Sequence, residues 1–242
     1  YDADKDRFEN FSYPNNDKKQ FINGIVELGE KRLLLYINRQ KLLIFDIETQ
    51  QFSEIMPVND LSSIAPTAIN RQGDHIYIGS FEGVYDYSIS QNSLKRIMAD
   101  KLHDKHILAI LQQSSSSLWI ATEGSGLYQY NPMTEESINY TYSPEKKGCI
   151  SSNYVRSLAL DTQNRLWIGT INSLNIYDEK EDRFNTYISD PKESGSLSQF
   201  SVRNIFMDAQ GGMWLGTYYG GVNYYHPLKN RFQNLQSTVK PN

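Results

Sequence analysis

Hydrophobic and polar residues alternate with period two along short stretches of this chain, and those stretches recur at a regular interval. Ile76-Tyr77-Ile78-Gly79-Ser80, Leu118-Trp119-Ile120-Ala121-Thr122, Leu166-Trp167-Ile168-Gly169-Thr170 and Met213-Trp214-Leu215-Gly216-Thr217 read alike, and Leu33-Leu34-Leu35-Tyr36-Ile37 is a worn fifth copy. Aligned on the aromatic position, the steps are 43, 42, 48 and 47 residues, a mean of 45. Strand-period patterning inside a repeat of that length predicts four-stranded propeller blades rather than a helical solenoid.

Further landmarks hold fixed offsets. Ile22, Ala65, Ile107, Val155 and Val202 stand twelve residues before the aromatic position, with Ile25, Ala68, Ile110, Leu158 and Ile205 three further on. A tight turn then leads to Leu42–Asp46, Val84–Tyr87, Leu127–Tyr130, Leu174–Asp178 and Val222–Tyr225. Gly, Asn, Asp and Pro mark the reversals, as in Thr162-Gln163-Asn164 and Asn131-Pro132. The fold expected is an all-β propeller with blades at 21–56, 65–98, 106–141, 153–188 and 201–235.

Residues 1–20 read as an outer strand of a preceding blade plus a linker, because Tyr1-Asp2…Arg7-Phe8 repeats the spacing of Tyr177-Asp178…Arg183-Phe184. With Arg231–Leu235 as the last blade's own outer strand, one outer strand is surplus. That favours five blades of a larger ring, seven needing about 315 residues at this period. A closed five-blade ring is the alternative. An open arc would bare Ile22, Ile25, Val202 and Ile205 and favour self-association or docking on the rest of the propeller.

Side chains two apart on a strand share a face. Trp167 and Gly169 therefore point at one neighbouring blade, and Ile168 and Thr170 at the other. A large ring beside a missing side chain lets twisted sheets interdigitate. Tyr77, Trp119, Trp167 and Trp214, with Gly79, Gly169 and Gly216, are read as blade core rather than as a ligand platform.

Lys plus Arg at 24 against Asp plus Glu at 28 gives a net charge of −4, against nucleic-acid binding by this region. One cysteine, Cys149, excludes an internal disulfide framework. The longest apolar stretches, Leu33–Ile37 and Ile107–Leu111, fall far short of the roughly 20 residues of a membrane span. No membrane contact is expected.

Two longer stretches resemble a known family. They are Ser196-Leu197-Ser198…Val202-Arg203-Asn204-Ile205…Asp208-Ala209-Gln210-Gly211-Gly212-Met213-Trp214-Leu215-Gly216-Thr217 and Ile150-Ser151-Ser152-Asn153-Tyr154-Val155-Arg156…Asp161…Asn164-Arg165-Leu166-Trp167-Ile168-Gly169-Thr170. Both are similar to the two-component regulator propeller repeat. The likeness is strong over about residues 106–235 and weak in the first repeat, where Leu34 replaces the aromatic and Tyr36 the glycine. The resemblance implies a periplasmic sensor region of a Bacteroides-type hybrid two-component histidine kinase. Adjoining sensor domains and an oligosaccharide signal come with that implication.

Enzyme signatures are thin, with His75, His103, His106 and His226 scattered and no nucleophile elbow. Asp100-Lys101-Leu102-His103-Asp104-Lys105-His106 holds metal-compatible ligands but falls in a loop where polar residues belong anyway. Asp178-Glu179-Lys180-Glu181-Asp182 reads as a solvated edge, and Gly124-Ser125-Gly126 as a hairpin turn. No metal or cofactor is expected, and no catalytic residue is assigned. Loops at the channel mouth are the place for a ligand, since loops on a rigid scaffold carry function. They supply Asn153, Tyr154, Arg156, Phe200, Arg203, Glu123, Asn172, Tyr218 and Tyr219. Arginine forks and aromatic faces suit a sugar. Arg156 and Arg203 also stand where they can tie neighbouring blades together. A propeller carbohydrate-active enzyme (lyase or hydrolase) and a protein-interaction scaffold are the alternative functions.

Overall fold

The computed structural model describes residues 6–11, 22–29, 31–37, 41–54, 64–193, 195–227 and 232–235. Twenty strands form five antiparallel blades set in a ring, each blade with its strands paired in chain order. Blade 1 is Ile22–Gly29, Arg32–Ile37, Lys41–Asp46 and Gln51–Glu54 (β1–β4). Blade 2 is Pro66–Gln72, His75–Ser80, Val84–Ser88 and Ser93–Ile97 (β5–β8). Blade 3 is Ile107–Ser114, Ser117–Thr122, Leu127–Tyr130 and Ser137–Tyr140 (β9–β12). Blade 4 is Val155–Leu160, Leu166–Thr170, Leu174–Asp178 and Arg183–Tyr187 (β13–β16). Blade 5 is Val202–Met207, Met213–Thr217, Val222–Tyr225 and Phe232–Leu235 (β17–β20). One short helix, Ala99–Leu102 (α1), sits between blades 2 and 3.

In blades 2 to 4 the aromatic position faces the following blade. Tyr77 packs with Ile107, Ile110 and Ile120 of blade 3. Trp119 packs with Val155, Ile168, Tyr177 and Phe184 of blade 4, and Trp167 with Val202, Met213, Leu215 and Phe232 of blade 5. The glycine two residues on is the hole for the next blade's inner strand. A Cβ on Gly79 would lie 2.6 Å from Ile107 Cγ2, and one on Gly169 2.9 Å from Val202 Cγ1. Side chains at these glycines would hold the sheets apart.

Blade 5 departs from this rule. The inner strands pack in succession, β1 on β5, β5 on β9, β9 on β13 and β13 on β17, but β17 and β1 do not pack on each other in that way. Trp214 is therefore half-buried where Trp119 and Trp167 are buried. A Cβ on Gly216 would meet nothing closer than Asn204 of its own blade at 3.9 Å. The expectation that all three tryptophans lie between blades is corrected for Trp214, because among the described residues no following sheet covers it. The bare positions also need correction. Ile22 and Ile25 are exposed as expected, yet Val202 is buried against blade 4 and Ile205 half-buried. The free face of blade 5 is instead made by Phe206, Trp214 and Val222, the side chains of opposite pleat.

Residues 6–11 lie outside the sheet formed by β17–β20. Phe11 sits against Phe45 of blade 1 with ring centroids 5.0 Å apart. Trp119 meets Tyr177, and Trp167 meets Tyr225, at the similar separations of 5.2 and 5.3 Å. Phe11 thus supplies the aromatic contact that a preceding blade supplies elsewhere. Residues 1–5 and 12–20 of the proposed outer strand and linker, and the strand start at Arg231, fall outside the described residues.

Candidate functional site

Three local devices place side chains on one rim. The Ser or Thr closing the second strand of blades 2 to 5 clasps the turn that follows. Ser80 donates to the Gly83 carbonyl, Thr122 to Gly126, Thr170 to Ser173 and Thr217 to Gly221, at 2.7 to 3.0 Å. The residue just after this hydroxyl is Phe81, Glu123, Ile171 or Tyr218.

The loop leading into the inner strand is pinned from below. Buried Asn175 accepts from the Ser151 amide and donates to its hydroxyl, and buried Asn223 does the same for Ser198. Ile150 and Leu197 plug the core beside them. These bonds set the height of Tyr154 and Ser201, the residues just before the inner strands.

The third device was not legible in the sequence. Every inner strand carries a register slip at its second residue: Asn23, Thr67, Leu108, Arg156 and Arg203. A bulge re-aims the side chain it extrudes. Thr67 reaches the Ile107 carbonyl at 2.5 Å, and Arg156 Nη1 donates to Ser201 Oγ at 2.9 Å, each in the next blade. Arg156 therefore does tie two blades. Arg203 has no hydrogen-bond or ion-pair partner among the described residues.

Together these devices build a ladder of rings and charges across four blades. Phe81 stacks on His106 at 4.1 Å, and His106 Nδ1 bonds Glu123. The Tyr154 hydroxyl donates to the other Glu123 oxygen. Arg156 lies over the Tyr154 ring at 5.3 Å and the Tyr218 ring at 5.7 Å, with Arg203 over Tyr218 at 5.6 Å. Tyr219 stands edge-on to Tyr218 at 4.3 Å and is 82% exposed. The hydrogen bond from Tyr154, then that from His106, holds the Glu123 carboxyl below its ordinary range, while Glu123 pushes the Tyr154 hydroxyl up.

Of the residues picked out from sequence, Glu123, Tyr154, Arg156, Arg203, Tyr218 and Tyr219 meet in this ladder. Asn153 and Asn172 do not join it. The Asn153 side chain accepts the Tyr142 amide, and Asn172 donates to the Ser151 carbonyl. Phe200 is exposed and makes no ring contact with the ladder among the described residues. Phe81 and His106 were missed as members. Their signal was present, because they hold the repeat positions of Glu123 and Tyr154.

The polar loop before blade 3 does not converge on a point. His103 pairs with Asp104 and His106 turns to Glu123. Among the described residues no three His, Cys, Asp or Glu side chains cluster as metal ligands. The charge run after β15 is corrected at one end. Asp182 is no mere solvated edge, since it accepts hydrogen bonds from Tyr177 at 2.7 Å and Tyr140 at 3.0 Å across the joint between blades 3 and 4.

The family model of the two component regulator propeller matches residues 149–172 and 195–219, the lead-in loops and first two strands of blades 4 and 5. Over those two stretches the chain is similar to the two component regulator propeller repeat. Histidine kinase P4 of Formosa agariphila is 29% identical over 109 residues, which are 43% of this chain and 8% of that protein. The extracellular domain of a putative hybrid two component system of B. thetaiotaomicron superposes with a TM-score of 0.74 at 25% identity. That match covers 93% of this chain and 30% of the other. A second such domain gives 0.69 at 24%, over 88% and 28%, a likeness of fold. The chain thus spans less than a third of these solved domains and about a twelfth of the kinase. None of its described helices is long and apolar enough to cross a membrane.

Proposed function

We propose that this regulator propeller is part of the periplasmic sensor of a hybrid two-component histidine kinase and that it recognises an oligosaccharide at the ladder from Phe81 to Arg203. The observation carrying this reading is the convergence of exposed rings and arginine forks on one rim, held by loops that are themselves pinned. Sugars present flat apolar faces beside hydroxyls, and aromatic faces with fixed donors match both. The relatedness to extracellular domains of hybrid two-component systems supports the location and the signalling role.

The acid/base side chains that meet in the ladder, His106, Glu123 and Tyr154, are bonded to one another, which favours recognition over turnover. Glu123 is engaged by two donors, and its depressed pKa makes it a poor proton donor near neutrality. Calorimetric titration of the chain against a broad oligosaccharide panel tests the reading. Binding that Tyr218→Ala weakens by about tenfold, or about 1.4 kcal/mol, is expected. No binding by any oligosaccharide, or steady release of cleaved product, would overturn it.

A further inference from the structure

We infer that the ligand of this rim is an acidic oligosaccharide, bound through a carboxylate between Arg156 and Arg203. This rests on the oligosaccharide reading above and narrows it. Two guanidinium groups stand within 6 Å of the Tyr218 ring, at 5.7 and 5.6 Å. Like charges gathered on one ring repel, and the chain as a whole carries a net charge of −4, so this is a local cationic spot on an anionic molecule.

Neither arginine bonds a carboxylate among the described residues. Arg156 gives one N–H to the neutral hydroxyl of Ser201. Arg203 is exposed and gives none. The acid that acts on Arg156, Glu123, is already taken by Tyr154 and His106. The remaining donors form two forks gathered at one ring, and such forks match a carboxylate bidentately. Both arginines are the extruded residues of their strand bulges, so their stems are fixed in equivalent positions one blade apart. Tyr219, 82% exposed beside them, offers a ring face for the neighbouring sugar.

The test is calorimetric titration of the whole chain with uronate-containing oligosaccharides and with the methyl ester of each, which caps the carboxylate with a methyl group and removes its charge. At least one free acid is expected to bind, its ester about tenfold or more weaker, with the acid's affinity falling as salt rises. Arg203→Gln should remove about tenfold from the acid and clearly less from the ester, and Arg203→Lys should restore part of the acid's loss. Arg203 is exposed and makes no hydrogen bond or ion pair among the described residues, so neither variant threatens folding. Equal binding of acid and ester, or an acid insensitive to Arg203→Gln, would overturn the acidic ligand. Neutral oligosaccharides binding under those conditions would leave the sensor reading standing. Failure of every oligosaccharide, acidic and neutral, would sink both.

Discussion

Trp119, Trp167 and Trp214 each hold their indole N–H to a side chain six residues earlier, at the far side of the hairpin. Trp167 donates to Asp161 Oδ2 at 2.9 Å, Trp214 to Asp208 at 2.7 Å and Trp119 to Gln113 at 2.8 Å. Asp161 also accepts the Gln163 and Arg165 amides, so one carboxylate closes the turn and orients the ring. Its burial pushes the carboxyl pKa up. The bonds from Trp167 and Arg165 outweigh that and leave it below the ordinary 3.8. A depressed folded pKa stabilises above the unfolded value and is lost as pH falls through the folded one. Acid titration of unfolding should show the wild type losing stability below about pH 4, with Asp161→Asn less stable at neutrality and flatter over that window. Trp167→Ala should cost about 3–5 kcal/mol in denaturant unfolding. Trp214→Ala should cost about 1–2 kcal/mol, since its ring is already partly exposed. Equal losses at the two sites would contradict the difference in burial.

At the level of strands and loops, the blades were legible because each packing requirement repeats. Trp-Ile-Gly-Thr encodes a ring for the next sheet, a hole for its inner strand, and a hydroxyl that clasps the turn. Five registers of one pattern show the strands even where a single copy is weak, as at Leu33–Ile37. The ladder was only partly legible, because its pairs form between blades. Phe81 and His106 are 25 residues apart and Glu123 and Tyr154 are 31, a relation that neither strand period nor turn chemistry encodes. The bulges that extrude Arg156 and Arg203 left no signal at all, since an extra residue in one strand shows only against its partner. The glycine hole gives the cleanest contrast within one element type. Gly169→Val would drive a side chain into Val202 Cγ1 and its carbonyl, 2.9 and 3.0 Å from the new Cβ. It should destabilise by about 1–3 kcal/mol in thermal or denaturant unfolding. Gly216→Val meets open space and should change stability by no more than about 0.5 kcal/mol.

The whole molecule is a ring of sheets with four packed joints, and its last joint is of a different kind. Joints between successive blades bury a ring, a hole and a knob together. Beyond blade 5 the ring Trp214, the hole Gly216 and the reaching arginine Arg203 all lack the neighbour their counterparts have. At the other side, the knob position of blade 1, Ile22, is 56% exposed, while Phe11 caps Phe45. Water therefore reaches the last tryptophan and not the two before it. Trp119 and Trp167 are 0% and 1% exposed, whereas Trp214 is partly exposed and packs against Tyr224 at 4.6 Å. Acrylamide quenching of the intrinsic fluorescence should then resolve one accessible and two protected indoles. Trp214→Phe should remove the accessible component and leave the emission of the remaining pair short in wavelength. A chain whose three tryptophans are equally shielded would mean that the fifth face is covered in solution and that the last joint closes like the others.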